Sequence, residues 1–536
     1  MKKQLGSKKL QLSLAEFVWY GFNFMVGVTF VSYFAIAANI TGDGMGLHVI
    51  WVWALDGIFA TVCAMSFAKM SRAHEAGANG AAYVYARSTF GRTTGLLVGF
   101  IQYVYLPFSL SYQIMSVMHV TFAMEFQGLV STKYSIYLGS YTDLWLDLIS
   151  VLIYLGCVFV VVKGASWYKK IASSSALIKW ISAGALIILA VYLCSNHNTG
   201  SANLNAWSHN SNLTISGFTK TFNSCFFAFI GFELFATAGK NVNNAQKNVS
   251  RGILIAMALA VAAYLSLTVL FFAAISPNTG FAENFNIQIW FVLEHNLPIG
   301  ITWAGFAITI VSILAMRINS FMQKSLYGGT TLQPLAYEGF FPDKFGKLND
   351  RQIPATAAKL NMIIVLGMCV VWLIIPDIIK GSIITSKEGF HPTPAVYLAT
   401  TFTVFNVQSL SSFASVIAIF VYMMVILATM TLAVQKKIKM NVGEYAMYSL
   451  TLAFLGFIFV FHYYNIIDKA IDAPSTSSIT GLGIELFTTL AVILFFVIWN
   501  KAYYQRKVQT RTVSQQRVKD KAFHQLSVKD EKYLME

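Results

Sequence analysis

The chain of 536 residues is 56% hydrophobic and 11% charged, against a charged share of roughly 25% in soluble domains, which excludes an ordinary soluble enzyme. A mean hydropathy of +0.60, spread over many apolar runs of about 20 residues that each suffice for a bilayer core of roughly 30 Å, marks an all-α integral membrane protein. The net charge of +15 calls for no nucleic-acid partner, because Lys and Arg of such chains collect in the cytoplasmic loops beside anionic membrane lipid.

Lys2, Lys3, Lys8 and Lys9 lie in an N-terminal segment, 1–13, ahead of the first apolar run. No small-residue cleavage site follows a short apolar core there, so the run is expected to stay as a span. Apolar runs and their polar interruptions predict twelve transmembrane helices: 14–38, 47–67, 93–123, 144–163, 171–193, 218–239, 251–275, 300–326, 356–376, 408–433, 443–465 and 481–503. With a cytoplasmic N-terminus, the outer loops hold five of the 38 basic residues, Lys133, Lys220, Lys380, Lys387 and Lys469. The inner side takes the run Lys436, Lys437, Lys439 and the basic tail 504–536, so both termini are expected in the cytoplasm and the protein in the cell membrane. The tail reads either as a short amphipathic helix or as a disordered end.

The first span carries Gly21, Phe22 and Asn23, then Gly27, Val28 and Thr29, where a simple anchor shows an unbroken run of Leu, Ile and Val. The sixth span repeats the feature in Phe226 to Gly239, with Gly231 and Glu233 well inside it. Paired glycine-interrupted spans at equivalent places in two halves point to an inverted-repeat transporter that holds substrate where the helices unwind. Freed amides suit a carboxylate, and freed carbonyls suit an ammonium or a cation. Such glycines also occur where helices simply pack closely.

Ionisable side chains within spans are functional candidates by default. Lys179 of the fifth span lies about eight residues, roughly 12 Å, from the cytoplasmic end; its long stem either lifts the ammonium to the interface or holds it at a site. Arg317 of the eighth span lies deeper, beside Asn319 and Ser320, and stays protonated. Asp56 of the second span and Glu233 are the acids best matched to it in depth. A packing charge pair, a cytoplasmic gate and a charge in the substrate pocket remain open for Arg317. Cys63, Cys157, Cys194, Cys225 and Cys369 fall singly in apolar stretches, with no disulfide or zinc spacing. No nucleotide-binding P-loop, HExxH or GxSxG motif occurs; no enzyme activity, cofactor or metal is expected.

Four stretches together resemble the amino acid, polyamine and organocation (APC) superfamily of permeases. They are GVTFV (Gly27–Val31), GANGAAYVYARSTFG (Gly77–Gly91), FFAFIGFE (Phe226–Glu233) with NVNNAQKNVSRGIL (Asn241–Leu254), and EGFFPDKF (Glu338–Phe345). Thr29 departs from the family pattern by replacing its second glycine of the first span. Asn241, Ala245 and Ser250 replace an acid and two prolines, and Thr330 replaces an arginine.

The resemblance implies a LeuT-type fold of 5+5 inverted repeats, 14–193 and 218–433, with broken first and sixth helices and two appended helices in 443–503. It further implies an amino acid substrate whose carboxylate meets amides around Gly27, Val28 and Thr29. The substrate ammonium would meet carbonyls near Met25 and Val26 and at the sixth-span break, Phe229, Ile230 and Gly231. An aromatic of the sixth span, Phe226 or Phe227, would close over the substrate, and Glu233 would lie beside the break. Proton-coupled members carry a lysine matching Lys179, which implies proton symport and protons as a second partner. An exchanger shares every motif, and a receptor that binds an amino acid without moving it is a further reading. Substrate class stays open, since Arg317 favours an anionic side chain and Asp56 or Glu233 a cationic one; oligomeric state is not legible.

Overall fold

The computed structural model describes residues 12–27, 45–74, 81–118, 138–196, 200–209, 211, 213–233, 242–277, 299–347, 349, 354–390, 407–472 and 476–509. Helices dominate these residues, and no β-strand forms among them; an isolated bridge pairs Leu12 with Val242.

Helix α1, Leu14–Met25, starts in a reciprocal capping box: the Glu16 amide donates to Ser13 Oγ, and the Ser13 amide donates to the Glu16 carboxylate. It stops after 12 residues, about three turns, where Val26 turns extended at φ −76°, ψ 98°. The helices α2 (Val49–Ala73), α3 (Ala81–Phe90), α4 (Arg92–Met118), α5 (Thr142–Lys163), α6 (Ala165–Asn196) and α7 (Gly200–His209) follow. Helix α8, Ile215–Phe229, is capped by Thr214, whose hydroxyl accepts from the Gly217 amide, and ends where Ile230 turns extended. Helices α9 (Ala245–Ala274) and α10 (Ile299–Glu338) come next.

Helix α11, Ala355–Cys369, runs through a π-helical turn, Val370–Ile374, into α12, Ile375–Glu388. The ninth span therefore extends past its expected end at 376. Pro376 lacks an amide and would crowd the carbonyl four residues back in a regular helix, and the wide turn accommodates it. Helices α13 (Val407–Val434) and α14 (Val442–Asp472) precede α15, Thr476–Trp499, which continues through a second π segment, Asn500–Gln505, into the short α16, Arg506–Gln509. Among the described residues, nine helical stretches are long and apolar enough to cross a membrane. The remaining expected spans correspond to the interrupted α1 and α8 and to the 40-residue α10.

Helices α1, α2, α8 and α9 pack together, with α2 against α9 and α8 and α1 against α9. A second group joins α10 to α4, α5, α6 and α11, and α13 leans on α2, α3 and α4. One apolar cluster runs through the first group and α13, and a smaller one, around Ile114, Tyr154, Phe321 and Cys369, fills the second. Large apolar side chains such as Leu152, Ile188 and Phe487 stay exposed on the outside, as expected where the surrounding medium is itself apolar.

Candidate substrate and coupling site

The end of α1 leaves backbone carbonyls without intrahelical partners, and α6 supplies the groups that meet them. Lys179 Nζ donates to the Val26 carbonyl at 2.6 Å and to the Asn23 carbonyl at 3.2 Å. The side chain is 5% exposed, so the ammonium does not rise to the interface. The next residue, Trp180, donates its indole N–H to Asn23 Oδ1 at 2.6 Å and stacks on Phe22 with ring centroids 5.1 Å apart. Two successive residues of α6 thus hold the last turn of α1. The Asn23 amide in turn donates to the Trp19 carbonyl.

The break after α8 rests on Gly231, whose φ of +135° disfavours any side chain. A Cβ there would come within 2.5 Å of the Phe24 ring, so the two broken helices approach closely at this point. The Gly231 amide donates to Glu233 Oε2 at 2.9 Å, and the Tyr422 hydroxyl donates to the same oxygen at 2.6 Å. Glu233 therefore secures the break to α13. Tyr264 of α9 joins the two breaks, its hydroxyl lying 2.9 Å from both the Met25 and the Ala228 carbonyl oxygens. With one hydroxyl hydrogen, it donates to one of these at a time.

A polar pocket opens on the α6 side of the α1 break, lined by Asn23, Gly27, Gln113, Lys179, Asn319 and Ser320 among others. Of the residues expected at the site, Gly27 and Lys179 face it, and those of α8 do not. Phe229 is packed between Trp53 and Tyr264, and Phe226 stacks on Phe222 and meets Tyr422. Phe227 meets Tyr112 edge-on. Val28 and Thr29 lie outside the described residues.

Neither of the two acids matched to Arg317 in depth, Asp56 and Glu233, pairs with it. Glu233 is engaged by Gly231 and Tyr422, and among the described residues both Asp56 oxygens are buried without a hydrogen-bond partner. Asp56 sits on α2 in the first helix group, whereas Arg317 belongs to α10 in the second. Among the described residues no group of three His, Cys, Asp or Glu side chains is arranged to hold a metal.

Sequence reasoning missed Tyr264, Trp180 and Lys324. Lys324, 5% exposed, hydrogen-bonds to Ser109 Oγ and lies 5.9 Å from the Phe227 ring. The signal available for it was its charge alone, two residues from the expected end of the eighth span at 326; α10 instead continues to Glu338 and buries it.

Two of the stretches behind the family resemblance meet in space. Glu338 pairs with Arg87, accepts from Arg92 Nε at 2.9 Å, and accepts from the Tyr83 and Tyr504 hydroxyls at 3.1 and 3.0 Å. Beside it, the Trp499 indole N–H donates to the Phe340 carbonyl at 2.6 Å. The segment after α10 is thereby tied to α3, α4 and the end of α15.

The sequence profile of the amino acid permease family matches residues 12–496. The chain belongs to the amino acid permease family. Its relatives include a branched-chain amino acid permease of Lactococcus lactis subsp. cremoris, 23% identical over 60% of this chain and 68% of the relative. Cationic amino acid transporter 4 of Homo sapiens is 24% identical over 64% of this chain and 52% of the relative, so the match spans about half of that protein's length. A mitochondrial cationic amino acid transporter 3 of Arabidopsis thaliana is 26% identical over 27% of this chain and 22% of the relative. As a permease, the protein is a multi-pass membrane transporter and not an enzyme.

Proposed function

We infer that this permease is a secondary active transporter that imports amino acids across the cell membrane by proton symport, with both termini cytoplasmic. Alternating access would rock α1, α2, α8 and α9 against the helices around α10, in a twelve-span LeuT-type arrangement whose repeats cover 14–193 and 218–433. The grouping of helices and the interruption of both α1 and α8 support this reading. Freed carbonyls at Met25, Val26 and the α8 break would take the substrate ammonium, and amides from Gly27 to Thr29 its carboxylate.

The observation that carries the coupling is the buried Lys179 ammonium on the Asn23 and Val26 carbonyls. A charged lysine there holds α1 against α6. Loss of its proton removes the charge-assisted part of these bonds, leaves weaker neutral contacts, and loosens α1 from the second helix group. Proton occupancy and the position of α1 are thereby linked.

The test is uptake of a labelled amino acid panel into proteoliposomes of the purified protein, with and without an inward proton gradient and internal amino acid. Accumulation driven by the gradient alone is the expected result. Uptake only after preloading would replace symport by exchange, and saturable binding without uptake would make the protein a receptor.

A further inference from the structure

We propose that the pocket accepts a neutral amino acid with a side-chain carboxamide, the class of L-glutamine and L-asparagine, whose amide group meets Gln323 and Ser320 on the wall formed by α10. The proposal rests on the amino acid transporter reading and names the substrate class of that site.

Met316, Asn319, Ser320 and Gln323 all line the pocket, and their spacing of i, i+3, i+4 and i+7 makes them one face of α10. Gly27 of the α1 break lines the same pocket, so a substrate held by backbone groups at the break presents its side chain to this wall. Two hydrogen bonds fix the wall. Gln323 Nε2 donates along the helix to Asn319 Oδ1 at 2.9 Å, and the Ser320 hydroxyl donates across to Gln113 Oε1 of α4 at 2.9 Å. Gln323 is 1% exposed, and its Oε1 is buried with no hydrogen-bond partner among the described residues. Of the described lining residues, no other has a side-chain polar atom left in that condition.

An unmet buried acceptor is unfavourable, and a guest that donates to it relieves the penalty. A carboxamide has two N–H hydrogens, enough for Gln323 Oε1 and a lone pair of Ser320 Oγ together, whereas a hydroxyl side chain donates to one of them only. The charges of the pocket favour the same class. Lys179 is the one charged side chain among the described lining residues, and no acid is among them. Its ammonium is engaged by the Asn23 and Val26 carbonyls and lies 4.9 Å from the centroid of the Trp180 ring. A basic guest would share the pocket with this like charge and find no carboxylate to offset it. An ionised acidic side chain carries acceptors only, and an apolar one carries no polar group, so both leave Gln323 Oε1 unmet.

The experiment measures initial uptake of labelled amino acids, at equal subsaturating concentration, into proteoliposomes of the full-length protein. L-glutamine is compared with its near-isosteres L-methionine and L-glutamate, and L-asparagine with L-leucine and L-aspartate; L-lysine is the basic probe. At least one amide is expected to enter about tenfold faster than both of its near-isosteres and than L-lysine. Gln323→Met, which removes the acceptor at similar length, should reduce that amide's advantage over its apolar near-isostere about tenfold. The ratio is taken within one preparation, so loss of folded protein alone leaves it unchanged, and the wild-type ranking decides even where the variant does not purify. Uptake of any acidic, apolar or basic probe as fast as that of both amides overturns the proposal and leaves the transporter reading standing, as does an unchanged ratio in Gln323→Met. Failure of all the probes to bind or move overturns the transporter reading together with it.

Discussion

Lys179 Nζ lies 2.6 Å from the carbonyl oxygen of Val26, the residue at which α1 ceases to be helical. The ammonium takes the place at the C-terminal end of a broken helix where a positive charge is favoured by the carbonyl dipoles. Its pairing is with backbone, so its attachment to α1 depends on no other titrating side chain, and the remaining contacts around the breaks give separate tests of how the two helices are held.

Tyr264→Phe removes the single hydroxyl that bridges the Met25 and Ala228 carbonyls. The ring still fills its place against Trp53 and Phe229, so stability is expected to fall only by about 1 kcal/mol, the net worth of one hydrogen bond. Transport is expected to fall much further, by about tenfold, because the breaks lose their common tether. Melting temperature and initial uptake rate of the same preparation separate the two effects.

Glu233→Gln keeps one oxygen able to accept from Gly231 and Tyr422, whereas Glu233→Ala leaves both donors unmet. The alanine variant is expected to lose about 1–3 kcal/mol through unsatisfied buried groups, and the glutamine variant clearly less. Thermal unfolding in detergent gives the comparison; equal losses would show that charge, and not the acceptor, holds the break.

How far the sequence disclosed this site depends on the kind of signal each residue carried. The breaks were legible because glycine and polar residues interrupt otherwise apolar spans, and Lys179 because a lysine eight residues into a span is conspicuous. Tyr264 left no trace, being one of 25 tyrosines in an apolar helix whose role comes from what faces it. Lys324 was hidden by the expected end of the eighth span, near which a lysine reads as interfacial; the helix continues because the segment after it is fixed by the Glu338 contacts. The polar residues of the pocket belong to α1, α4, α6 and α10, which only tertiary packing brings together. The same holds for Asp56, matched with Arg317 in depth but located in a different helix group.

Glu338→Gln should expose the value of the cluster that Glu338 forms with Arg87, Arg92, Tyr83 and Tyr504. It leaves Arg87 buried without its acid, for which about 3–5 kcal/mol of destabilisation is expected. Tyr504→Phe, removing one neutral donor, should lower stability by about 1 kcal/mol. Unfolding of the two variants side by side checks the ranking.

His74 lies just beyond the span that ends at Ala73, 1% exposed, with Nδ1 2.8 Å from the Met70 carbonyl oxygen and Nε2 2.9 Å from Ser88 Oγ. Burial pushes its imidazole down to about 4, partly offset by the contact to Met70. The unfolded imidazole, near its ordinary 6.5, binds a proton that the folded one refuses. Stability is therefore flat above about pH 6.5 and declines as pH falls toward 4, by about 2 kcal/mol at pH 5. His74→Gln should flatten that part of the melting-temperature profile.

The central claim is that protonation of Lys179 couples the gradient to substrate movement. The direct measurement compares wild type with Lys179→Ala in proteoliposomes, following uptake driven by an inward proton gradient alongside counterflow exchange without one. The account predicts that the variant loses gradient-driven accumulation while counterflow persists. Accumulation by Lys179→Ala with unchanged dependence on external pH would contradict it.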